Sequence, residues 1–236
     1  MTRCVLPALA LAAALLPSCQ YGPCLRGDGP VVEETRVLEP FDRVRLESSA
    51  DLLLIPDSVF RVDVYAQSNL LDRVRTEVSG GELRIDIRDC VTNTRDIRAE
   101  IHAPLFRGLV VDGSGDVENA GTLSVSAFDL AIRGSGDVAL TLLTDALDTD
   151  IDGSGDVRLE GGATSQSIRI RGSGNVRAFD LACEDATVDV NGSGDVRLRA
   201  ESTLDVTIRG SGDVYYKGYP AITVDIDGSG DLIDAN

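Results

Sequence analysis

From residue 107 to the end, the chain repeats one arrangement of apolar and polar positions. Apolar residues stand four and two places ahead of a Gly-Ser-Gly-Asp turn, and another follows it directly. The positions four ahead of the first glycine are Leu109, Leu130, Thr149, Ile168, Val188, Val206 and Val224. Those two ahead are Val111, Ile132, Ile151, Ile170, Val190, Ile208 and Ile226. After the turn come Val117, Val138, Val157, Val176, Val196, Val214 and Leu232. Alternation with a period of two marks a strand with one buried face. Each unit therefore reads as a strand, a tight turn, a second short strand and a looser return.

The first glycines of the seven turns, Gly113, Gly134, Gly153, Gly172, Gly192, Gly210 and Gly228, lie 18 to 21 residues apart. A near-constant period of this length is the mark of a solenoid whose coils bury a shared core between neighbours. The expected fold is all-β, a parallel β-helix with about one coil per repeat, each refilling the same apolar columns. The residue just before each first glycine offers an independent check. It is Asp112, Arg133, Asp152, Arg171, Asn191, Arg209 and Asp227 in turn. Stacked in register at about 4.8 Å, these residues form a ladder of alternating sign, and opposed unlike charges are stabilising where like charges repel.

The turn residues have physical roles in this picture. The glycines are expected to supply a positive φ and to keep side chains out of the coil above. The serines between them are placed to bond to one another. The column Asp116, Asp137, Asp156, Asn175, Asp195, Asp213 and Asp231 has two readings. Stacked carboxylates could collect Ca²⁺, or each could accept a hydrogen bond from a turn N–H. Asn175 favours the second, because it keeps the acceptor and drops the charge. Arg158, Arg177 and Arg197, two residues on, can neutralise the column locally. No other metal site is expected, since His102 is the only histidine and there is no paired-cysteine motif.

Residues 31–106 are β-like but irregular, and read as the first coils and an N-terminal cap. Strand-like runs are Val44–Leu46, Leu52–Ile55, Phe60–Tyr65, Leu83–Ile87 and Ile97–Ile101. Ser79-Gly80-Gly81 reads as a turn, Asn69–Arg73 as one helical turn, and Ser48-Ser49-Ala50-Asp51 as a worn copy of the repeated turn. At the far end, Tyr215, Tyr216 and Tyr219 surround Lys217-Gly218. They are read as a cover for the open end of the solenoid, with stacking on sugar rings as the other use.

Residues 1–18 have Arg3 as their only charge and an Ala/Leu-rich run from Val5 to Leu16, which is the form of a secretory signal. Leu16-Pro17-Ser18-Cys19 resembles a bacterial lipobox, with Cys19 as the lipid-attachment site. Ordinary cleavage nearby, leaving Cys19 free, is the alternative. Gln20 after the cysteine favours the outer membrane, and residues 19–30, rich in Gly and Pro, read as a lipid-anchored linker to a single domain at 31–236. With Cys4 leaving and Cys19 modified, Cys24, Cys90 and Cys183 remain. An oxidising envelope makes one disulfide plausible; Cys24–Cys90 is the pairing expected, because Cys183 lies inside a repeat.

The chain carries 22 Lys and Arg against 39 Asp and Glu, a net charge of −17. Such a surface repels phosphate backbones, which argues against nucleic acid as a partner.

The repeated Gly-Ser-Gly-Asp-Val turns, Phe41-Asp42-Arg43-Val44, Asn69-Leu70-Leu71-Asp72-Arg73 and Gly81-Glu82-Leu83 together resemble the auto-transporter adhesin, head GIN domain family, over roughly residues 38–232. The resemblance implies that the β-helix is right-handed. It also implies a place in the bacterial envelope, often on a lipoprotein, and adhesion or scaffolding as the role; it brings no catalytic residues. The functional expectation is thus a non-enzymatic, adhesin-like or scaffolding module that meets a protein or glycan ligand. The alternative is a polysaccharide-binding or polysaccharide-degrading β-helix. Catalysis would need a cluster that breaks the repeat, whereas the carboxylates here recur with it, Trp is absent and His102 has no evident partner.

Overall fold

The computed structural model describes residues 24–94 and 97–236; the expected signal at 1–18 and the expected lipid-attachment site Cys19 lie outside them. Among the described residues there is no α-helix, and the single helical element is the 3-10 turn Leu71–Arg73. The repeats stack as a parallel β-solenoid. Val111, Ile132, Ile151, Ile170, Val190, Ile208 and Ile226 are successive partners across six parallel pairings. All but Ile226 are fully buried. The column after the turn runs in the same way from Val117 to Leu232.

The return is more regular than a loose connection in the middle coils. Val138–Ile151, Val157–Ile170 and Val176–Val190 are continuous strands that carry both faces of a coil and the wall between them. Leu142, Ala163, Leu181 and Cys183 point inward along that wall and are buried. Apolar side chains recur there at a spacing of two as well, so the ladder does not break.

The turn glycines stack so closely that no side chain fits. A Cβ on Gly134 would lie 1.8 Å from the Gly113 carbonyl oxygen, and one on Gly155 would lie 2.1 Å from that of Gly136. None of these turn glycines has a positive φ; among the described residues the positive-φ glycines are Gly29, Gly80, Gly81, Gly121, Gly161 and Gly218. The expectation of a left-handed corner is therefore corrected. Glycine is required by the carbonyl of the coil beneath, not by the dihedral angle. The serine hydroxyls do not bond to one another either. Instead the serine N–H donates to the first glycine's carbonyl one coil down, as in Ser135 to Gly113 at 3.0 Å and Ser154 to Gly134 at 3.0 Å.

The N-terminal part does not stack in chain order. Arg43–Leu46 lies between Gly108–Val111 on one side and Glu82–Ile87 on the other, parallel to both. Asp51–Pro56 lies likewise between Val117–Asn119 and Arg98–Ala103. The coil made from residues 82–103 is thus beneath the one made from 43–56. Antiparallel strands close this end: Val74–Ser79 pairs with Glu82–Ile87, and Arg61–Gln67 joins Val31–Val37 to Arg98–Ala103. Ser48 and Ala50 do form a worn turn, directly under Gly113 and Gly115.

Two expectations about the chain ends are corrected. The linker is docked from Cys24 onward. Cys24 is bonded to Cys90 with Cα atoms 4.7 Å apart, and Leu25–Arg26 pairs with Val91–Thr92. The Asn69 side chain donates to the Arg26 carbonyl at 2.8 Å and accepts from the Asp28 N–H at 2.9 Å, while Asn93 donates to Gly27 at 3.0 Å. Those amides replace water on the arm's backbone. At the other end the tyrosines do not cover the last coil. Tyr219 is 88% exposed, and Ile222, Val224 and Ile226, whose equivalents are buried in each coil from Phe128 to Ile208, are 41–48% exposed.

Candidate binding face

Each turn carboxylate serves the coil that follows. Asp51 Oδ1 accepts from the Asp116 N–H at 3.0 Å, Asp116 from Asp137 at 2.9 Å, and Asp137 from Asp156 at 2.7 Å. The chain continues through Asp156, Asn175, Asp195 and Asp213 to the Asp231 N–H. Asn175 accepts like the others and also donates its amide to Asp156 at 2.8 Å. Burial, the largest influence on Asp156, pushes its carboxyl up; the Asn175 N–H and amide together with Arg177 outweigh it and hold the group below the usual carboxylate range. One oxygen of each side chain from Asp51 to Asp213 is thus committed to the backbone, the turn-capping role expected of the column.

The charge ladder before the turn is aligned in register through the repeats, and below them ion pairs continue it only diagonally, because the position under Asp112 is Glu47. Arg171 holds Asp152 through two bonds of 2.5 and 3.0 Å, and Arg133 reaches Asp112 at 3.4 Å. Asp112 also meets Arg45 at 2.6 Å from the coil below, and Arg45 binds Glu82 at 2.8 Å in the coil below that. The Arg45 hydrogen bond holds the Glu82 carboxyl below its ordinary range, with burial opposing. Arg209 departs from the expected partner: it reaches Asp189 at 3.3 Å, diagonally, and no ion pair joins it to Asp227. Asn191 opposite it offers no charge, so the guanidinium leans to the nearest carboxylate. This face is internally neutralised.

The face after the turn differs. Its outward column reads Asp63, Glu100, Leu53, Glu118, Ala139, Arg158, Arg177, Arg197, Tyr215 and Ile233 as consecutive partners. Three arginines therefore stand directly over one another at about 4.8 Å, an arrangement that costs stability unless countered. Their side chains are 60%, 51% and 33% exposed. Arg177 pairs with Asp156 at 2.9 Å and Arg197 with Asp195 at 3.5 Å, but Arg158 turns to Glu160 at 2.8 Å instead of the turn carboxylate. Arg197 lies 4.8 Å over the Tyr215 ring, and Lys217 lies 4.6 Å over Phe179. Phe179 is displaced outward where Val176–Val190 slips register against Val157–Ile170. The result is a stripe of guanidinium groups ending on two aromatic rings, beside a 250 Å³ hollow lined by Arg158 and Arg177 together with Asp116, Glu118, Asp137 and Asp156. Guanidinium forks fit carboxylate and sulfate groups in pairs of parallel hydrogen bonds.

His102 is not isolated, contrary to the reading from sequence. Its Nδ1 is 3.0 Å from Asp57 and its Nε2 is 3.3 Å from Asp63 and 3.2 Å from Arg61. No serine or cysteine bonds to the ring among the described residues, so no nucleophilic triad forms.

The family model described as "Putative auto-transporter adhesin, head GIN domain" matches residues 40–220. This chain belongs to that family. Its fold is shared with solved structures at low sequence identity. A "putative adhesin" of Bacteroides fragilis is 23% identical, with a TM-score of 0.84 over 89% of this chain and 99% of that one. A "putative lipid binding protein" of Parabacteroides distasonis is 24% identical, with a TM-score of 0.77 over 91% and 100%. A "putative adhesin" of Parabacteroides merdae is 17% identical, with a TM-score of 0.70 over 91% and 100%. No curated protein matches the sequence.

The arginine stripe was visible in the sequence only as a local neutraliser of the Asp column. Its signal as a binding feature was the repetition of Arg at one position in three consecutive units, with Tyr215 next in line.

Proposed function

We propose that this family member is a non-enzymatic envelope module that binds an acidic polysaccharide along Arg158, Arg177 and Arg197. The observation that carries the reading is the in-register stack of three exposed guanidinium groups within a chain of net charge −17. A repeat spaced like the strands suits a polymer with regularly placed carboxylates or sulfates, and Tyr215 and Phe179 offer flat apolar faces to sugar rings. The leader at 1–18 and the lipobox ending in Cys19 support export and lipid anchoring, with the outer membrane as the site. Because the arm is docked from Cys24, the five residue steps from Cys19 to Cys24 span at most about 18 Å. The N-terminal cap then faces the bilayer and the stripe stands away from it.

The test is binding of the full-length chain to alginate, polygalacturonate and chondroitin sulfate, with dextran as the neutral control. Binding that weakens with salt, and that the triple variant Arg158→Gln/Arg177→Gln/Arg197→Gln loses while keeping its melting temperature, supports the reading. Equal binding to dextran, or an unaffected triple variant, refutes it. Release of reducing or unsaturated ends from these polymers would show an enzyme instead.

A further inference from the structure

We propose that Asp63, Glu100 and His102 form a Zn²⁺ site in the N-terminal cap, in which Arg61 competes with the ion for the same acceptors. One potential ligand atom from each of the three residues lies within 4.8 Å of the other two. Asp63 and His102 are more than nine-tenths buried. Asp63 and Glu100 are direct partners across an antiparallel pair, as are Arg61 and His102. Like charges placed directly opposite one another repel, and Glu100 has no ion-pair partner among the described residues.

The histidine is already set up as a ligand. Arg61 Nη2 lies 3.2 Å from Nε2. A guanidinium can only donate, so the Arg61 contact is a hydrogen bond in the tautomer that keeps the lone pair on Nε2 and the hydrogen on Nδ1. That hydrogen is directed at Asp57 Oδ2, 3.0 Å away. A carboxylate behind a histidine, fixing its tautomer and ring orientation, is the usual outer shell of a zinc-bound imidazole.

The geometry is close to what the ion needs. With bonds near 2.0–2.1 Å, ligand atoms of a tetrahedral zinc site are about 3.3 Å apart. His102 Nε2 and Asp63 Oδ2 are 3.3 Å apart, and Glu100, half-buried at the surface, closes the third corner by rotation of its side chain. Thr35 holds Asp63 Oδ1 at 2.7 Å, which leaves Oδ2 facing the site. Arg61 bonds that same oxygen at 2.9 Å, and its side chain is 38% exposed, so it can swing to solvent. Asp57, Asp63 and Glu100 bring three carboxylates around the imidazole, against the one guanidinium of Arg61. A divalent ion suits this set better than a guanidinium. One nitrogen and two carboxylates favour zinc over calcium, which prefers a larger shell of oxygens. Water would complete the coordination.

The experiment is calorimetric titration of the tag-free full-length chain with ZnCl2 and with CaCl2, repeated on Glu100→Gln and Arg61→Gln and combined with Co²⁺ absorption spectra. One equivalent of Zn²⁺ is expected, with no matching Ca²⁺ binding. Glu100→Gln should weaken it about ten-fold or more, since loss of even an outer-shell partner costs about 10–100-fold, and Arg61→Gln should strengthen it. The Co²⁺ spectrum should show nitrogen and oxygen ligation. Absence of saturable Zn²⁺ binding in both the native chain and Arg61→Gln, an unchanged affinity in Glu100→Gln, or a thiolate charge-transfer band pointing to Cys183 would each overturn the site. Glu100→Gln removes no hydrogen bond, so its fold is expected to persist.

Discussion

Replacing Gly155 with alanine tests how tightly the coils are stacked. The new Cβ would lie 2.1 Å from the Gly136 carbonyl oxygen, 2.9 Å from its carbon and 3.3 Å from a methyl of Ile132. Relief requires the two turns to part by more than about 1 Å, against a strand spacing of about 4.8 Å. The bonds strained by that movement are Ser154 N–H to the Gly134 carbonyl at 3.0 Å, Asp156 N–H to Asp137 at 2.7 Å and Val138 N–H to the Asp156 carbonyl at 2.9 Å. At about 1 kcal/mol each, with about 1–3 kcal/mol of overpacking strain, the loss is about 4–6 kcal/mol. Gly121→Ala is the control, because Gly121 has φ +70° and no atom within 4 Å of the added Cβ. Its cost is the left-handed penalty alone, about 1–2 kcal/mol. Urea unfolding followed by circular dichroism separates the two. A Gly155→Ala variant no less stable than Gly121→Ala would refute the claim that backbone contact between coils, and not dihedral preference, selects glycine at these turns.

The Asp column acts through its acceptor oxygens, so Asp137→Asn should remain within about 0.5 kcal/mol of the native chain, while Asp137→Ala loses about 1 kcal/mol. Millimolar Ca²⁺ and chelator should leave the melting temperatures of both unchanged. Thr149 is fully buried in the core column with no hydrogen-bond partner for its hydroxyl, so Thr149→Val should stabilise by about 1 kcal/mol in urea unfolding. The Arg171 hydrogen bond, opposed by burial, holds the Asp152 carboxyl below its ordinary range. That interaction is fully present above the unfolded value near 3.9 and is lost as pH falls through the folded one. Native protein should therefore lose more melting temperature than Arg171→Gln on acidification below about pH 4. Burial pushes the Cys183 thiol up to about 11; it should resist iodoacetamide at pH 8 in the folded protein and react once denatured.

The repeated half was legible because its columns are spaced by a constant number of residues. Once Val111 faces Ile132, Asp112 must face Arg133 and Asp116 must face Asp137. The same logic identified Ser48–Asp51 as a worn turn, and Asp51 proves to be the foot of the carboxylate ladder. Chain order placed the main strands of the N-terminal half but gave no access to how they stack. Residues 82–103 lie beneath 43–56, and antiparallel pairing sets Asp63 against Glu100, which are far apart in the sequence and form no motif. The strands Val31–Val37 and Val74–Ser79 were missed because each has charged or polar residues on its exposed face and only a partial cover on the other.

The turn glycines and the last coil fail for a different reason. Glycine at a corner suggests a dihedral explanation, whereas only the neighbouring coil reveals the carbonyl it must clear. The tyrosines at 215–219 suggested a cover, but Tyr215 lies along the outward column over which Arg197 packs, so it extends the stripe and leaves the end open. The Arg209 contact to Asp189 shows a limit of the ladder argument. Register sets which residues are neighbours, while a long side chain chooses between a direct and a diagonal partner.

The stripe exists only if residues 158, 177 and 197 are successive neighbours. Thiol crosslinking with a reagent spanning about 5 Å, one strand spacing, tests this on the pairs Arg158→Cys/Arg177→Cys and Arg158→Cys/Arg197→Cys. The first pair should crosslink within the folded chain and the second, two coils apart, should not. Crosslinking of the second pair in preference to the first would contradict the in-register stack and, with it, the binding face.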